Sequence, residues 1–130
     1  MMFELLLGHL VGDYLLQNEW MAQNKSNNDF TGWFSAIVHC VIYTLAVCLI
    51  MWNFDPLWMG AVFVSHFFID KFAFGYWYLK HRKGLDTYSY KMVYLSELRA
   101  GFNAVIYTVT DNTMHLLLMW LFYNLIYTWL

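Results

Sequence analysis

An uncharged stretch, residues 31–52, limits what this chain can fold into more than any other feature. It contains no Asp, Glu, Lys or Arg, and Trp33 and Trp52 stand near its two ends. A helix of about 20 apolar residues spans the hydrocarbon core of a bilayer. Tryptophan is enriched at both membrane interfaces. The stretch therefore predicts a membrane-spanning helix.

The composition extends this prediction to the whole chain. Of 130 residues, 61% are hydrophobic and 12% are charged, which is far fewer charges than a soluble domain carries. The fold class is expected to be an all-α integral membrane protein, a single domain over residues 1–130 built as a bundle of about four transmembrane helices. Residues 85–98 are too polar to span and predict a short helix lying at the interface. The transmembrane helices are predicted at about 2–22, 31–52, 56–79 and 100–129.

The segment K-H-R-K-G at residues 80–84 carries the strongest positive charge and predicts the orientation. By the positive-inside rule this loop is cytoplasmic, and threading four spans from it places both termini outside. The formal net charge of −2 leaves no basic surface for a nucleic acid, so that class of partner is excluded.

Three pairs of His and Asp, each spaced four residues apart, interrupt the apolar segments. Residues i and i+4 share one face of a helix, so each pair can present an imidazole and a carboxylate to the same point. In the last pair the order is reversed. The pairs are His9 with Asp13, His66 with Asp70, and Asp111 with His115.

Counting along the predicted helices places the three pairs and His39 at one depth. At 1.5 Å per residue, all seven side chains lie roughly 12 to 22 Å from the cytoplasmic boundary. The fourth helix runs opposite to the first and third, so the reversed order keeps every aspartate on the cytoplasmic side of its histidine. We therefore expect one shared polar site near mid-membrane.

Buried carboxylates at this depth need compensation, since each costs roughly 3 kcal/mol by insertion scales. A divalent metal compensates directly. Four histidines and three aspartates are enough for two metals with open positions, or for one metal with carboxylates that orient the imidazoles. The mixed imidazole and carboxylate set suits zinc as the first candidate, with manganese or iron as alternatives. The predicted ligands are His9, Asp13, His39, His66, Asp70, Asp111 and His115, and Asp13 and Asp70 are the candidate catalytic residues.

These motifs resemble the domain-of-unknown-function family 3307, small integral membrane proteins of bacteria and phages. The matching segments are H-L-V-G-D-Y-L-L-Q at 9–17, the following Lys25, the His39 region, H-F-F-I-D-K at 66–71 and D-N-T-M-H at 111–115. The family commonly has D-Q in the last motif, so Asn112 is a departure. The resemblance implies a multi-helix membrane fold, a bacterial inner-membrane location and a polar centre at the three pairs. It implies no reaction.

The leading functional hypothesis is a membrane-embedded, metal-dependent hydrolase that acts on a lipid or lipid-linked substrate, because such a substrate already lies in the bilayer. One alternative is a proton or ion conduit or transporter, since intramembrane His and Asp chains serve as relays. Four helices are few for that task unless the protein forms a homo-oligomer. The other alternative is a non-enzymatic phage or bacterial membrane module with a structural metal.

Overall fold

The computed structural model describes residues 1–83 and 95–129. Within these residues every regular element is a helix and there is no strand, which confirms the all-helical fold class. The elements follow in this order: α1 (Met2–Leu10), a π-helical segment (Val11–Leu15), α2 (Glu19–Asn24), α3 (Phe30–Met51), α4 (Pro56–Lys71), α5 (Phe74–Lys83), α6 (Leu95–Asn124) and a second π-helical segment (Leu125–Trp129).

Side-chain caps define where α3 and α4 begin. The Asp29 carboxylate accepts a hydrogen bond from the backbone N–H of Gly32 at 2.7 Å. The Asp55 carboxylate accepts from Leu57 and Trp58 at the start of α4, and Pro56 occupies the first turn. Helix α3 therefore begins one residue before its predicted start, and α4 begins at its predicted start.

The prediction of one continuous helix over 2–22 is wrong, because the structure breaks it in the middle. After α1, Val11–Leu15 winds as a π-helical segment and the helix then stops. Asn18 adopts an extended backbone, and its side chain accepts a hydrogen bond from the Met21 N–H at 2.9 Å. That contact caps a new helix, α2, so the polar residues at 17–19 start a second element.

The third predicted helix, over 56–79, is two helices. It bends by 52° between α4 and α5, where Ala73 has a left-handed φ of 46°. The basic segment predicted as a loop at 80–84 is helical through Lys83, at the end of α5. Of the interfacial segment predicted at 85–98, residues 85–94 lie outside the described residues. The remaining four residues belong to α6, which begins at Leu95 rather than at 100.

Helix α3 packs against α1, α2 and α4, and α6 packs against α1, α4 and α5. The side chains of α1 with its π-helical extension, α3, α4 and α6 are arranged in layers one helical turn, about 6 Å, apart. An apolar layer is followed by a histidine layer and then by a carboxylate layer. The apolar layer contains Leu5, Tyr43, Val62 and Met119, the histidine layer His9, His39, His66 and His115, and the carboxylate layer Asp13, Asp70 and Asp111.

Two glycines permit the close packing around these layers. A Cβ atom on Gly12 would lie 2.5 Å from the ring of Tyr43, so only glycine lets the start of the π-helical segment approach α3. A Cβ atom on Gly75 of α5 would lie 2.8 Å from the Asp111 carboxylate. Gly12 therefore leaves space for the Tyr43 ring, and Gly75 leaves space for the Asp111 carboxylate.

The surface of the described residues is unusually apolar. Phe30 is 84% exposed, Trp52 80%, Leu15 75% and Phe3 70%. Among the described helices, Phe30–Met51 is long and apolar enough to cross a membrane, and α4 with α5 would be a second span if the bent pair counts as one.

We expect Gly12→Ala to lower the free energy of unfolding by about 1–3 kcal/mol, because the new methyl group overlaps the Tyr43 ring. The matched control is Gly60→Ala in the middle of α4, where a Cβ atom has no neighbour within 4 Å. That change should be neutral or stabilise by up to about 1 kcal/mol. Unfolding followed by circular dichroism in detergent measures both; equal behaviour of the two variants would contradict the close approach of Gly12 to Tyr43.

Candidate metal centre

Four side chains from three different elements converge to form the first candidate metal group. Asp13 comes from the π-helical segment, His39 from α3, and His66 and Asp70 from α4, where they share one face. One ligand atom of each lies within 4.8 Å of the other three. The i, i+4 spacing of His66 and Asp70 supplies half of the group from a single helix.

The distances within this group match the edges of a small cage. His39 Nε2 lies 3.2 Å from Asp13 Oδ1 and 3.1 Å from Asp70 Oδ2. His66 Nε2 lies 3.3 and 3.2 Å from the same two oxygens, and 2.9 Å from His39 Nε2. A tetrahedron of ligands around zinc at about 2.0–2.1 Å has edges of about 3.3 Å. These four atoms are therefore placed closely enough to bind one divalent cation.

Burial makes this arrangement costly without a counter-charge. The side chains of His39 and Asp70 are almost fully enclosed, and Asp13 is 9% exposed. The Oδ1 atom of Asp13 is buried and accepts no hydrogen bond. An unpaired buried carboxylate oxygen is destabilising. A cation at the centre of the cage would remove that cost.

A second group shares Asp70 and adds two residues of α6. Asp70, Asp111 and His115 each offer a ligand atom within 4.8 Å of the other two. His115 Nε2 lies 3.3 Å from Asp70 Oδ1 and 3.6 Å from Asp111 Oδ2, and it has no hydrogen-bond partner. The two carboxylate oxygens of Asp70 therefore point to different groups, Oδ2 to the first and Oδ1 to the second.

Lys25 supplies a positive charge to the first group from the segment between α2 and α3. Its Nζ donates to Asp70 Oδ2 at 2.6 Å. With the Gln17 amide oriented to suit its neighbours, the Gln17 oxygen accepts from the same ammonium at 3.0 Å and its nitrogen donates to the Asp13 carbonyl at 3.1 Å. The ammonium partly neutralises the carboxylates of Asp13 and Asp70. It would also repel a divalent cation bound in the cage.

The segment that carries Lys25 is held in place by Lys71. The Lys71 ammonium donates to the backbone carbonyl of Asn27 and lies 4.5 Å from the centre of the Trp33 ring. A Cβ atom on Gly32 would overlap the same carbonyl, so this glycine allows the segment to fold back onto α3. Lys71 thus anchors the segment without entering either group.

His9 lies in the histidine layer but belongs to neither group. Its Nε2 lies 2.8 Å from Asn112 Oδ1, an acceptor, so Nε2 donates and Nδ1 accepts from the Tyr43 hydroxyl at 2.8 Å. His9 Nδ1 also lies 3.5 Å from Asp13 Oδ2. The predicted ligand His9 therefore reaches the first group through Asp13, and its two ring nitrogens face protein partners.

Sequence patterns did not single out Tyr43 as a site residue. Its ring stacks on His66, with centroids 3.5 Å apart, and its hydroxyl holds His9. Tyr43 follows His39 by four residues, so the spacing that marks the polar pairs was available for it too. Its aromatic side chain among apolar neighbours resembles ordinary core.

Asn112 also has a defined role. Its Oδ1 accepts from His9, and its amide nitrogen donates to the Tyr14 hydroxyl at 2.9 Å. It therefore connects the histidine layer to a tyrosine that is 56% exposed.

Comparison with known proteins identifies the family of this chain. The family model described as "Protein of unknown function (DUF3307)" matches residues 1–130, the whole chain. The chain belongs to the DUF3307 family. No similarity to a curated protein or to a solved structure was found. For this DUF3307 protein, the side-chain geometry is therefore the basis for any functional assignment.

We expect the purified DUF3307 protein to contain bound divalent metal and His39→Ala to retain less of it through purification, because that change removes one imidazole from the cage. His81→Ala is the control, since His81 is exposed and contacts the Trp77 carbonyl. Elemental mass spectrometry on detergent-purified, folded protein gives the metal-to-protein ratio. Equal metal content in the wild type and in His39→Ala would exclude the first group as the binding site.

Lys25→Met should raise the affinity for a divalent metal by about tenfold or more, because it removes a positive charge next to Asp70. A tenfold change corresponds to about 1.4 kcal/mol. Lys80→Met, on α5 beside Tyr76, is the matched control. Competition with a chromophoric chelator measures the affinities. A weaker metal affinity in Lys25→Met would show that the ammonium supports the bound cation instead of opposing it.

Proposed function

We propose that this protein is a membrane-embedded, metal-binding hydrolase that acts on a lipid or lipid-linked substrate. The observation that carries the proposal is the cage formed by Asp13, His39, His66 and Asp70, with distances of 2.9 to 3.3 Å between the imidazole nitrogens and their neighbours. Zinc fits this set of nitrogen and oxygen ligands best, and manganese or iron would also fit.

The distribution of polar and apolar side chains supports the membrane location. Large apolar side chains cover much of the described surface, whereas the histidines of the layer are at most 2% exposed. This is the reverse of a soluble domain, and in a bilayer polar groups belong in the bundle interior. In the proposed arrangement α1 with α2, α3, α4 with α5, and α6 cross a bacterial inner membrane. Both termini lie outside and the basic residues at 80–84 are cytoplasmic.

The two aspartates of the cage differ in how tightly they are held. Asp70 contacts Lys25 through one oxygen and lies near His115 through the other, and it is 3% exposed. Asp13 is the most exposed of the four residues, and its Oδ1 has no hydrogen-bond partner. Asp70 is therefore proposed as a fixed ligand, whereas Asp13 can move away from the cage to admit water and accept its proton.

A divalent cation held by the cage would supply a nucleophilic water at neutral pH and polarise the bond to be cleaved. In the proposed reaction the water oxygen forms a bond to an acyl carbon or a phosphorus. The bond to the leaving oxygen or nitrogen breaks, and Asp13 passes the proton it accepted to that atom.

A lipid is the proposed substrate because of the surface through which the site is reached. Tyr14 and Leu15 adjoin Asp13 in the π-helical segment and are 56% and 75% exposed. In a bilayer this surface faces acyl chains, so a substrate already dissolved in the membrane can approach Asp13 laterally. A water-soluble substrate would have to cross the apolar surface.

One observation favours a proton or ion conduit as the second candidate function. The contacts continue from His39 to His66 at 2.9 Å, from His66 to His115 at 3.0 Å, and from His115 to Asp111 at 3.6 Å. Such a chain of titratable groups can pass protons between its ends. A purely structural metal is the third candidate, because four protein ligands can close a zinc site.

Asp13→Asn should lower lipid hydrolysis by about 100-fold or more while most of the metal remains bound, because an amide cannot accept the proton. Glu19→Gln, at the exposed start of α2, is the carboxylate control and should stay active. The assay uses metal-loaded protein in mixed micelles with a fluorescent glycerolipid ester, an N-acyl lipid and a phosphodiester lipid. Equal turnover by wild type and Asp13→Asn would contradict the role of Asp13.

Flux measurements separate the hydrolase from the conduit. Proteoliposomes that hold a pH-sensitive dye and metal-loaded protein should show no protein-dependent proton flux if hydrolysis is the function. Flux that is abolished by His66→Ala, with none of the three lipid classes cleaved, would replace the hydrolase with the conduit. If the protein shows neither proton flux nor lipid cleavage and unfolds when the metal is removed by a chelator, the metal has a purely structural role.

A further inference from the structure

The two ligand groups are joined by a direct contact between two imidazoles, in addition to Asp70. Nδ1 of His66 lies 3.0 Å from Nδ1 of His115, which is a hydrogen-bond distance. His66 and His115 are 1% and 2% exposed, so no water competes for this contact. One of the two nitrogens must therefore donate and the other must accept.

The number of protons on the two imidazoles limits which of them can bind a metal. A neutral imidazole carries one N–H, so a histidine that binds a metal through Nε2 carries its proton on Nδ1. If His66 and His115 both bound metals through Nε2, two N–H groups would face each other at 3.0 Å. The hydrogen bond therefore permits only one of the two histidines to act as a ligand at a time.

We propose that Asp70, Asp111 and His115 form a second divalent-cation site, and that the chain fills this site only when the first is empty. The group that marks the second site is the buried Nε2 of His115, which lies 3.3 Å from Asp70 Oδ1 and 3.6 Å from Asp111 Oδ2 without a well-aligned hydrogen bond to either. The inference rests on the metal binding in the proposed function but not on hydrolysis.

The two occupied states differ in where the same two protons lie. With a cation in the first site, His66 donates from Nδ1 to His115, and the Nε2–H of His115 faces Asp70 and Asp111. With a cation in the second site, His115 donates from Nδ1 to His66, and the Nε2–H of His66 faces Asp13 and Asp70. No proton is gained or lost. Asp70 remains a ligand throughout, through Oδ2 in the first state and Oδ1 in the second.

Titration of the purified wild-type protein with Mn²⁺ tests exclusive occupancy without any mutation. We expect saturation at one equivalent per chain and the six-line electron paramagnetic resonance spectrum of an isolated Mn²⁺ ion. Two bound equivalents with an exchange-coupled spectrum would overturn the proposal, because two ions bridged by Asp70 would then be present together.

The double variant Asp13→Asn/His39→Ala tests the second site itself, since it removes two ligands of the first site and none of the second. This variant should still bind one Mn²⁺, more weakly than the wild type, and adding Asp111→Asn should abolish the binding. A folded double variant that binds no Mn²⁺ would overturn the second site. Wild-type protein without metal binding would refute the metal centre as a whole, whereas one bound ion without lipid cleavage would refute only the hydrolase.

Discussion

The structure depends on how three carboxylates and four imidazoles are accommodated inside a bundle of apolar helices. Each ionised carboxylate in such an interior carries a desolvation cost of several kcal/mol unless it is paired. Helical spacing collects these groups into two adjacent layers, where each carboxylate lies within 3.6 Å of at least one histidine nitrogen. Lys25 then supplies one full positive charge, and a divalent cation would supply the remainder. The glycines at 12 and 75, the stacked Tyr43 and the anchored segment around Asn27 all serve to keep these layers closed.

The polar centre could be predicted from the sequence because a four-residue spacing survives local changes in helix geometry. His66 and Asp70 remain on one face of α4 although the helix ends one residue later, and Asp111 and His115 remain on one face of α6 although its start differs by five residues from the predicted one. Helix type and layer order thus followed from periodicity. Periodicity did not predict which residues share a metal group, because that depends on which carboxylate oxygen of Asp70 faces which helix.

The helix breaks were not predictable from hydropathy. The chain stays apolar through Leu15 and Leu16, and the break follows from Asn18, whose side chain caps the next helix. The bend after Lys71 depends on the left-handed backbone of Ala73, for which no glycine or proline gave a signal. Lys25 was part of the family resemblance, but nothing in the sequence predicted which residue it contacts. Its contact with Asp70 arises because the segment before α3 folds back over Gly32. These features are tertiary, and they place both the most exposed ligand and the internal counter-charge beside the cage.

The central proposal is that one divalent cation is held by the imidazoles of α3 and α4 and by the carboxylates of the π-helical segment and α4. X-ray absorption at the zinc edge on zinc-loaded protein in detergent tests it most directly. The account predicts four to five nitrogen or oxygen ligands at about 2.0–2.1 Å, with the multiple-scattering pattern of two histidines and no sulfur. A spectrum with sulfur ligands, or one without histidine scattering, would contradict it.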